Sequence, residues 1–175
     1  MTTDPQYPIG RLTPPATFTP EVRAGLIADI EAAPAALAAV LRGLTVDQLR
    51  TPYREGGWMV KQVAHHLPDS HINAYVRFRR TLTEDEPTTV GYRQAKWADL
   101  ADAESDDVQT SVDLLTALHR RWVILLRSLT AEQFERRFVH PDRGLMPLDQ
   151  LLALYAWHGR HHVAQIAALR EREGW

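Results

Sequence analysis

From Glu21 onward the apolar residues of the chain recur at spacings of three and four. Val22, Leu26, Ile30, Ala33, Leu37, Val40, Leu41 and Leu44 form one stripe, the pattern of a long helix with one face turned to a core. Pro34 falls inside the stripe, and because the spacing continues in phase beyond it we expect a kink there rather than an end. A second stripe follows Gly56-Gly57, through Val60, Val63, Ala64, Leu67, His71, Ala74, Tyr75, Phe78 and Leu82. A third runs through Val108, Val112, Leu115, Leu118, Trp122, Leu125, Leu126 and Leu129. The fourth opens at Pro147, a residue suited to a helix N-terminus, and uses Leu148, Leu151, Leu152, Tyr155, Gly159, His162, Ile166 and Leu169. Four long amphipathic helices with no sustained period-two segment predict an all-α four-helix bundle.

The segments between the stripes are shorter and polar. Residues 84 to 107 read as an acidic, turn-rich connection with one short helix around Tyr92 to Leu100. Within Arg137 to Leu148, Phe138-Val139 and Leu145-Met146 flank the turn signal Pro141-Asp142-Arg143-Gly144, which predicts a small hairpin before the last helix. Prolines 5, 8, 14, 15 and 20 make residues 1–20 an extended arm. The arm carries Tyr7, Ile9, Leu12 and Phe18, apolar residues that a solvated tail would not need, so it is expected to pack on its own bundle or on a second subunit. Leu44-Thr45-Val46-Asp47-Gln48-Leu49 resembles Leu129-Thr130-Ala131-Glu132-Gln133-Phe134. Each is a Thr-x-x-Gln capping box at the end of a long helix, followed by a turn region and a helix with paired histidines. That repeat predicts two similar helix pairs.

With 175 residues, 45% of them hydrophobic, residues 1–175 read as a single domain that buries roughly 70% of its unfolded surface. No metal is needed to hold such a domain together, so a metal here would serve chemistry. The 20 Lys+Arg against 22 Asp+Glu leave no basic face for a phosphate backbone, which argues against nucleic acid as a partner. The chain has no cysteine, which removes thiol catalysis and Cys-based zinc sites and places soft chemistry on histidine. Its apolar runs are broken by charge, and Met1-Thr2-Thr3-Asp4-Pro5 has neither the basic nor the apolar region of a signal peptide. The expectation is a soluble, cytoplasmic protein with no membrane partner.

Six of the eight histidines fall in two clusters, His65, His66 and His71, then His158, His161 and His162. Residues four apart share a helix face, so His158 and His162 can offer two imidazoles to one ion. Two core histidines satisfied by carbonyls or by Asp and Tyr side chains would give one such cluster; two clusters on counterpart helices favour a three-histidine site. Adjacent residues diverge by about 100° on a helix, so one member of each His-His pair faces the ion. His162 lies in phase with Tyr155 and Ile166, whereas His161 sits toward Trp157 and Gln165. His66 shares a face with Gln62, Ser70 and Asn73, while His65 lines up with Lys61 and Asp69, a more solvated set. The selection is therefore His66, His158 and His162, with His65 and His161 as the competing choices. His158-Gly159-Arg160-His161-His162 lacks the Glu that metalloprotease helices carry after the first His. Asp69, His71 and His161 are the neighbouring candidates for a general base. The tryptophans Trp58, Trp97, Trp122 and Trp157 read as core or interface filling.

These residues resemble the DinB/YfiT-like superfamily of metal-binding four-helix bundles, and its YfiT-type metal-dependent hydrolases in particular. The resemblance is carried by Tyr7-Pro8-Ile9-Gly10, by Thr51-Pro52-Tyr53-Arg54-Glu55-Gly56-Gly57-Trp58, and by Val63-Ala64-His65-His66-Leu67 with Asp69-Ser70-His71. It continues in Tyr155-Ala156-Trp157-His158-Gly159-Arg160-His161-His162-Val163-Ala164-Gln165-Ile166. It implies His66 as first metal ligand and His158 and His162 as the others, from a His-x-x-x-His-x-x-Gln pattern. One divalent ion per chain, nickel or zinc, a small-molecule substrate and a homodimer are implied as well. Pro68 stands where similar sequences tend to carry Ala, so a kink in the ligand helix is expected. Other members of the superfamily are similar to transferases that join a low-molecular-weight thiol, such as bacillithiol or mycothiol, to an electrophile. The implied function is thus a metal-dependent hydrolase. The alternatives are a metal-dependent thiol S-transferase or a non-catalytic, metal-dependent small-ligand binding module. Three ligands leave a coordination position open, which favours an enzyme.

Overall fold

A computed structural model describes residues 4–175. Helix α1 (Pro20–Leu41) starts where Thr19 accepts a hydrogen bond from the Val22 backbone, with Pro20 in the first turn, and it continues through Pro34. It is the one helix among the described residues long and apolar enough to cross a membrane. Ile27, Ile30, Ala33 and Leu37 are nonetheless buried against the rest of the bundle. Gly43, at φ +78°, ends this segment. A single turn, α2 (Val46–Leu49), then begins at Thr45, whose side chain and that of Gln48 cap each other's backbone N–H.

Helix α3 (Val60–Thr83) carries the first histidine cluster and runs on through Pro68. A single turn, α4 (Gln94–Trp97), stands where a helix over Tyr92 to Leu100 was expected. Helix α5 (Val108–Ser128) leads to the second capped turn, α6 (Ala131–Glu135), with Thr130 and Gln133 repeating the reciprocal bonds. The two Thr-x-x-Gln boxes thus open separate short turns rather than lying at the ends of the long helices. The hairpin follows, β1 (Arg137–His140) antiparallel to β2 (Gly144–Pro147), with Phe138 opposite Met146. Both of these side chains enter the core. Helix α7 (Leu148–Glu173) closes at Gly174, whose left-handed φ of +71° suits a helix C-terminus.

The order of packing departs from the two helix pairs that the repeat predicts. Helix α1 packs principally against α5 and α7, and α3 packs against the same two. Consecutive long helices of each half therefore lie diagonally, and the segments containing α2 and α6 carry the chain across the bundle. The crossing brings α3 and α7, the two helices with paired histidines, side by side. Apolar packing forms one cluster around Trp122, Phe78, Phe138 and Leu152, and another around Leu37, Val60, Leu67 and Ile166. On α7 the histidines fall between the residues of the two clusters; on α3 His71 does so, while His65 and His66 lie within the stretch that feeds the second cluster. Gly159 lets α1 approach at this level, because a Cβ there would stand 3.1 Å from the Ala33 methyl.

Candidate metal centre

His66 projects from α3, and His158 and His162 project from successive turns of α7. The Nε2 atoms of His66 and His158 are 3.3 Å apart, and those of His158 and His162 are 3.2 Å apart. One nitrogen of each ring lies within 4.8 Å of the others, and among the described residues this set consists of histidines alone. Burial lowers the pKa of His66 to about 4. Burial, and then the neighbouring imidazoles, hold His158 and His162 well below the usual histidine range. All three rings are therefore neutral near pH 7, the state in which imidazole can act as a ligand.

Fixed acceptors decide which nitrogen of each ring carries its hydrogen. The Ile30 carbonyl can only accept, so His119 donates to it from Nδ1. His119 Nε2 then accepts from His71 Nδ1 at 2.8 Å, and His71 Nε2 accepts from His158 Nδ1 at 3.1 Å. His158 is left with a bare Nε2. On the other side, the Gln165 amide nitrogen donates to the Gln6 carbonyl at 3.0 Å and to His161 Nε2 at 2.9 Å. That orientation turns Gln165 Oε1 toward His162 Nδ1, 2.8 Å away, and leaves His162 Nε2 bare as well. Two lone pairs 3.2 Å apart with no hydrogen between them repel unless a cation lies in front of both. A tetrahedral set with metal–nitrogen bonds of 2.0–2.1 Å has edges of about 3.3–3.4 Å, so the donor set fits a divalent ion.

The competing histidines have other partners. His65 is buried rather than solvated, with its ring nitrogens 2.7 Å from Ser111 Oγ and 2.9 Å from the Ser105 carbonyl. The acidic connection folds over this face, and it encloses Lys61 too, which donates to the Glu104 carbonyl and pairs with Asp106. Asp69 lines a separate cavity there with His65 and Asp102. His161 stacks on Trp157 at 4.3 Å, as its helical phase implies. His119, alone on its helix, is not marked by the sequence, because a single histidine in an apolar stripe gives no clustering signal. Trp58 and Trp157, expected from the sequence to be filling, flank the centre. The ring of Trp58 lies 4.7 Å from that of His66.

Two cavities meet at His158. One, of about 600 Å³, is walled by Tyr7, Arg11 and Leu12 of the arm, with Trp58 and the three histidines. The other, of about 540 Å³, runs along Ser70, Arg77, Tyr92, Arg143 and Tyr155. Gln94, Arg143, Leu154 and Trp157 also border both, and their combined size suits a small molecule. The arm packs on its own bundle, one of the two placements expected of it. Besides the Gln6 bond, the Gly10 carbonyl accepts from Trp157 Nε1 at 3.3 Å.

Known proteins resemble this chain in sequence and in fold. Bacillus mycoides (strain KBAB4) and Bacillus cereus (strain AH820) each have a relative named "Putative metal-dependent hydrolase". Each is 47% identical over 172 residues, covering 98% of this chain and 99% of the relative. The solved structure of YfiT from Bacillus subtilis, described as a probable metal-dependent hydrolase with an unusual four-helix bundle topology, superposes with a TM-score of 0.94. It is 44% identical, with 98% of each chain covered. A further four-helix bundle protein, 23% identical with a TM-score of 0.58 over 83% of this chain and 98% of its own, shares the fold. The model of the DinB superfamily matches residues 29–166, a span that holds all three converging histidines and the diagonal crossing that joins them. The chain belongs to the DinB superfamily.

Proposed function

We propose that residues 1–175 form one metal-binding unit in which His66, His158 and His162 hold a single divalent ion, nickel or zinc. On this reading the protein is a hydrolase of a small molecule. The observation that carries it is the pair of bare Nε2 atoms on His158 and His162, 3.2 Å apart, each held in that state by a bond to the far side of its ring. An ion so bound supplies a Lewis acid that lowers the pKa of a water toward about 7, or stabilises a thiolate. The chain's own residues orient the three imidazoles, wall the cleft with Trp58 and Trp157, and close one side with the arm. The relatives' names support hydrolysis. The all-histidine donor set favours a second reading, transfer of a low-molecular-weight thiol, because that reaction asks for no carboxylate base beside the centre. We further place the protein in the cytoplasm as a homodimer, which sedimentation over micromolar concentrations tests.

Elemental analysis of tag-free protein is expected to give about one ion per chain, lost in the His158→Ala, His162→Ala double variant. Full retention in that variant sinks the ligand assignment. The loaded protein is then offered ester and amide substrates beside bacillithiol with monobromobimane. Metal-dependent hydrolysis supports the first reading, and conjugation without hydrolysis replaces it with the second.

A further inference from the structure

Of the two cations buried among the described residues, Lys61 and Arg77, only Lys61 has carboxylate partners. Arg23 forms a two-pronged pair with Asp149, at 2.8 and 2.7 Å. Lys61 pairs with Glu104 and Asp106. Arg77, on α3, is 6% exposed, yet its guanidinium donates to two neutral oxygens, the Tyr155 hydroxyl at 3.3 Å and the Val90 carbonyl at 3.2 Å. Among the described residues it has no ion pair. A guanidinium has five N–H donors in a planar fork, and taking such a charge out of water without a counter-ion is costly. Arg77 lines the cavity that begins at His158, and so do Arg93 and Arg143, against a single carboxylate, Asp142. The neighbouring hydroxyls of Ser70, Tyr92 and Tyr155 line the same space. In a chain of net charge −2, three arginines are concentrated in one limb of the cleft. Arg79 and Arg80, which follow closely on α3, are spent elsewhere, on the Tyr75 hydroxyl and on Glu84.

We propose that this limb is an anion subsite, and that the substrate carries a carboxylate or phosphate group held by the Arg77 fork with Arg143 and Arg93. The assignment of this ligand as substrate rests on the proposed metal-centred activity; the anion site itself does not. Both groups offer the paired oxygens that a guanidinium fork matches. His158 borders both cavities, so a molecule anchored at Arg77 extends toward the three histidines. The substrate class is then a small anionic molecule whose reacting bond lies on the far side of His158 from its charged group.

The test uses the full chain, metal-free after chelation and metal-loaded, at constant ionic strength. Succinate, inorganic phosphate and neutral succinamide are titrated by calorimetry and by the shift of the thermal midpoint. The expected result is saturable binding of succinate or phosphate to the metal-free protein, the tighter of the two naming the group, with succinamide at least tenfold weaker. Arg77→Gln is expected to weaken the anion at least tenfold, Arg77→Lys to restore part of the affinity, and the exposed Arg143→Gln to weaken it severalfold without moving the unliganded midpoint. A purely structural Arg77, tethering Val90, predicts a lower midpoint in Arg77→Gln with anion affinity unchanged, and that outcome overturns the proposal. So does equal binding of succinamide, or absence of saturable binding. If Arg77→Gln does not fold, Arg143→Gln decides. Loss of metal binding with anion binding intact would sink the catalytic reading and leave the subsite standing.

Discussion

Single ring nitrogens set the character of the centre. Gln165 holds the hydrogen of His162 on Nδ1, and the run His71, His119, Ile30 does the same for His158. Outer partners of metal-binding histidines typically contribute 10–100-fold in metal affinity. Gln165→Leu should therefore lower zinc affinity by about that factor in competition with a chromogenic chelator, with helical content unchanged. His119→Leu should do so too, although His119 is two hydrogen bonds from His158. Without an acceptor on its Nδ1 side, His71 is free to carry its hydrogen on Nε2, which sends the hydrogen of His158 to the nitrogen needed for the ion. If His119 only fills space, its loss will lower stability and leave zinc affinity where it was. The i, i+4 spacing of His158 and His162 and the phase of His66 were legible in the sequence because they depend on one helix at a time. The role of His119 was not, because it exists only after α5 packs beside α3.

At the scale of elements, the stripes foretold four helices, the continuation of α1 through Pro34 and the hairpin, since each follows from local period and turn chemistry. The diagonal crossing was not legible, because a stripe says that a helix has a partner and not which partner. The connection between α3 and α5 was the least legible of all, having no period, yet it supplies Tyr92, Arg93 and Gln94 to the cleft and buries His65. The capping boxes were read correctly as chemistry and misplaced as architecture. They begin the turns that redirect the chain across the bundle, and a capping threonine replaced by alanine costs about 1 kcal/mol. Thr45→Ala and Thr130→Ala should each lower the urea-unfolding free energy by about that amount. The two sites occupy separate crossovers and share no bonds, so the double variant should show the sum within about 0.5 kcal/mol. A large shortfall would mean that the two halves of the repeat fold as coupled units.

Across the whole molecule, a layer of neutral histidines lies between two apolar clusters. Desolvation brings His66 and His119 to about 4 and holds His71, His158 and His162 well below the usual histidine value of 6.5. In the unfolded chain the same rings take up protons as pH falls through about 6.5, while in the folded chain they stay neutral to lower pH. Between about pH 6.5 and 4 the unfolded state thus binds more protons, and stability must rise with pH in that window. The stabilisation is fully present above it and is lost as pH falls toward the folded-state values. Each such histidine contributes a slope of about 1.4 kcal/mol per pH unit, so several together rival the 5–15 kcal/mol that a domain of this kind typically has. Metal-free protein should therefore show a nearly constant urea midpoint from pH 8 to 7 and a steep fall from pH 6.5 to 5, with unfolding before pH 4. Bonds from Arg80 and Arg50 lower the pKa of the exposed Glu84 and the half-buried Asp106, moving them away from this window, so the histidines dominate it. Replacing His71 by Phe and His119 by Leu removes two of these groups and should make the fall shallower. A midpoint that stays level down to pH 5 would mean that water reaches the histidine layer, and that the bare nitrogens facing the centre are not held dry.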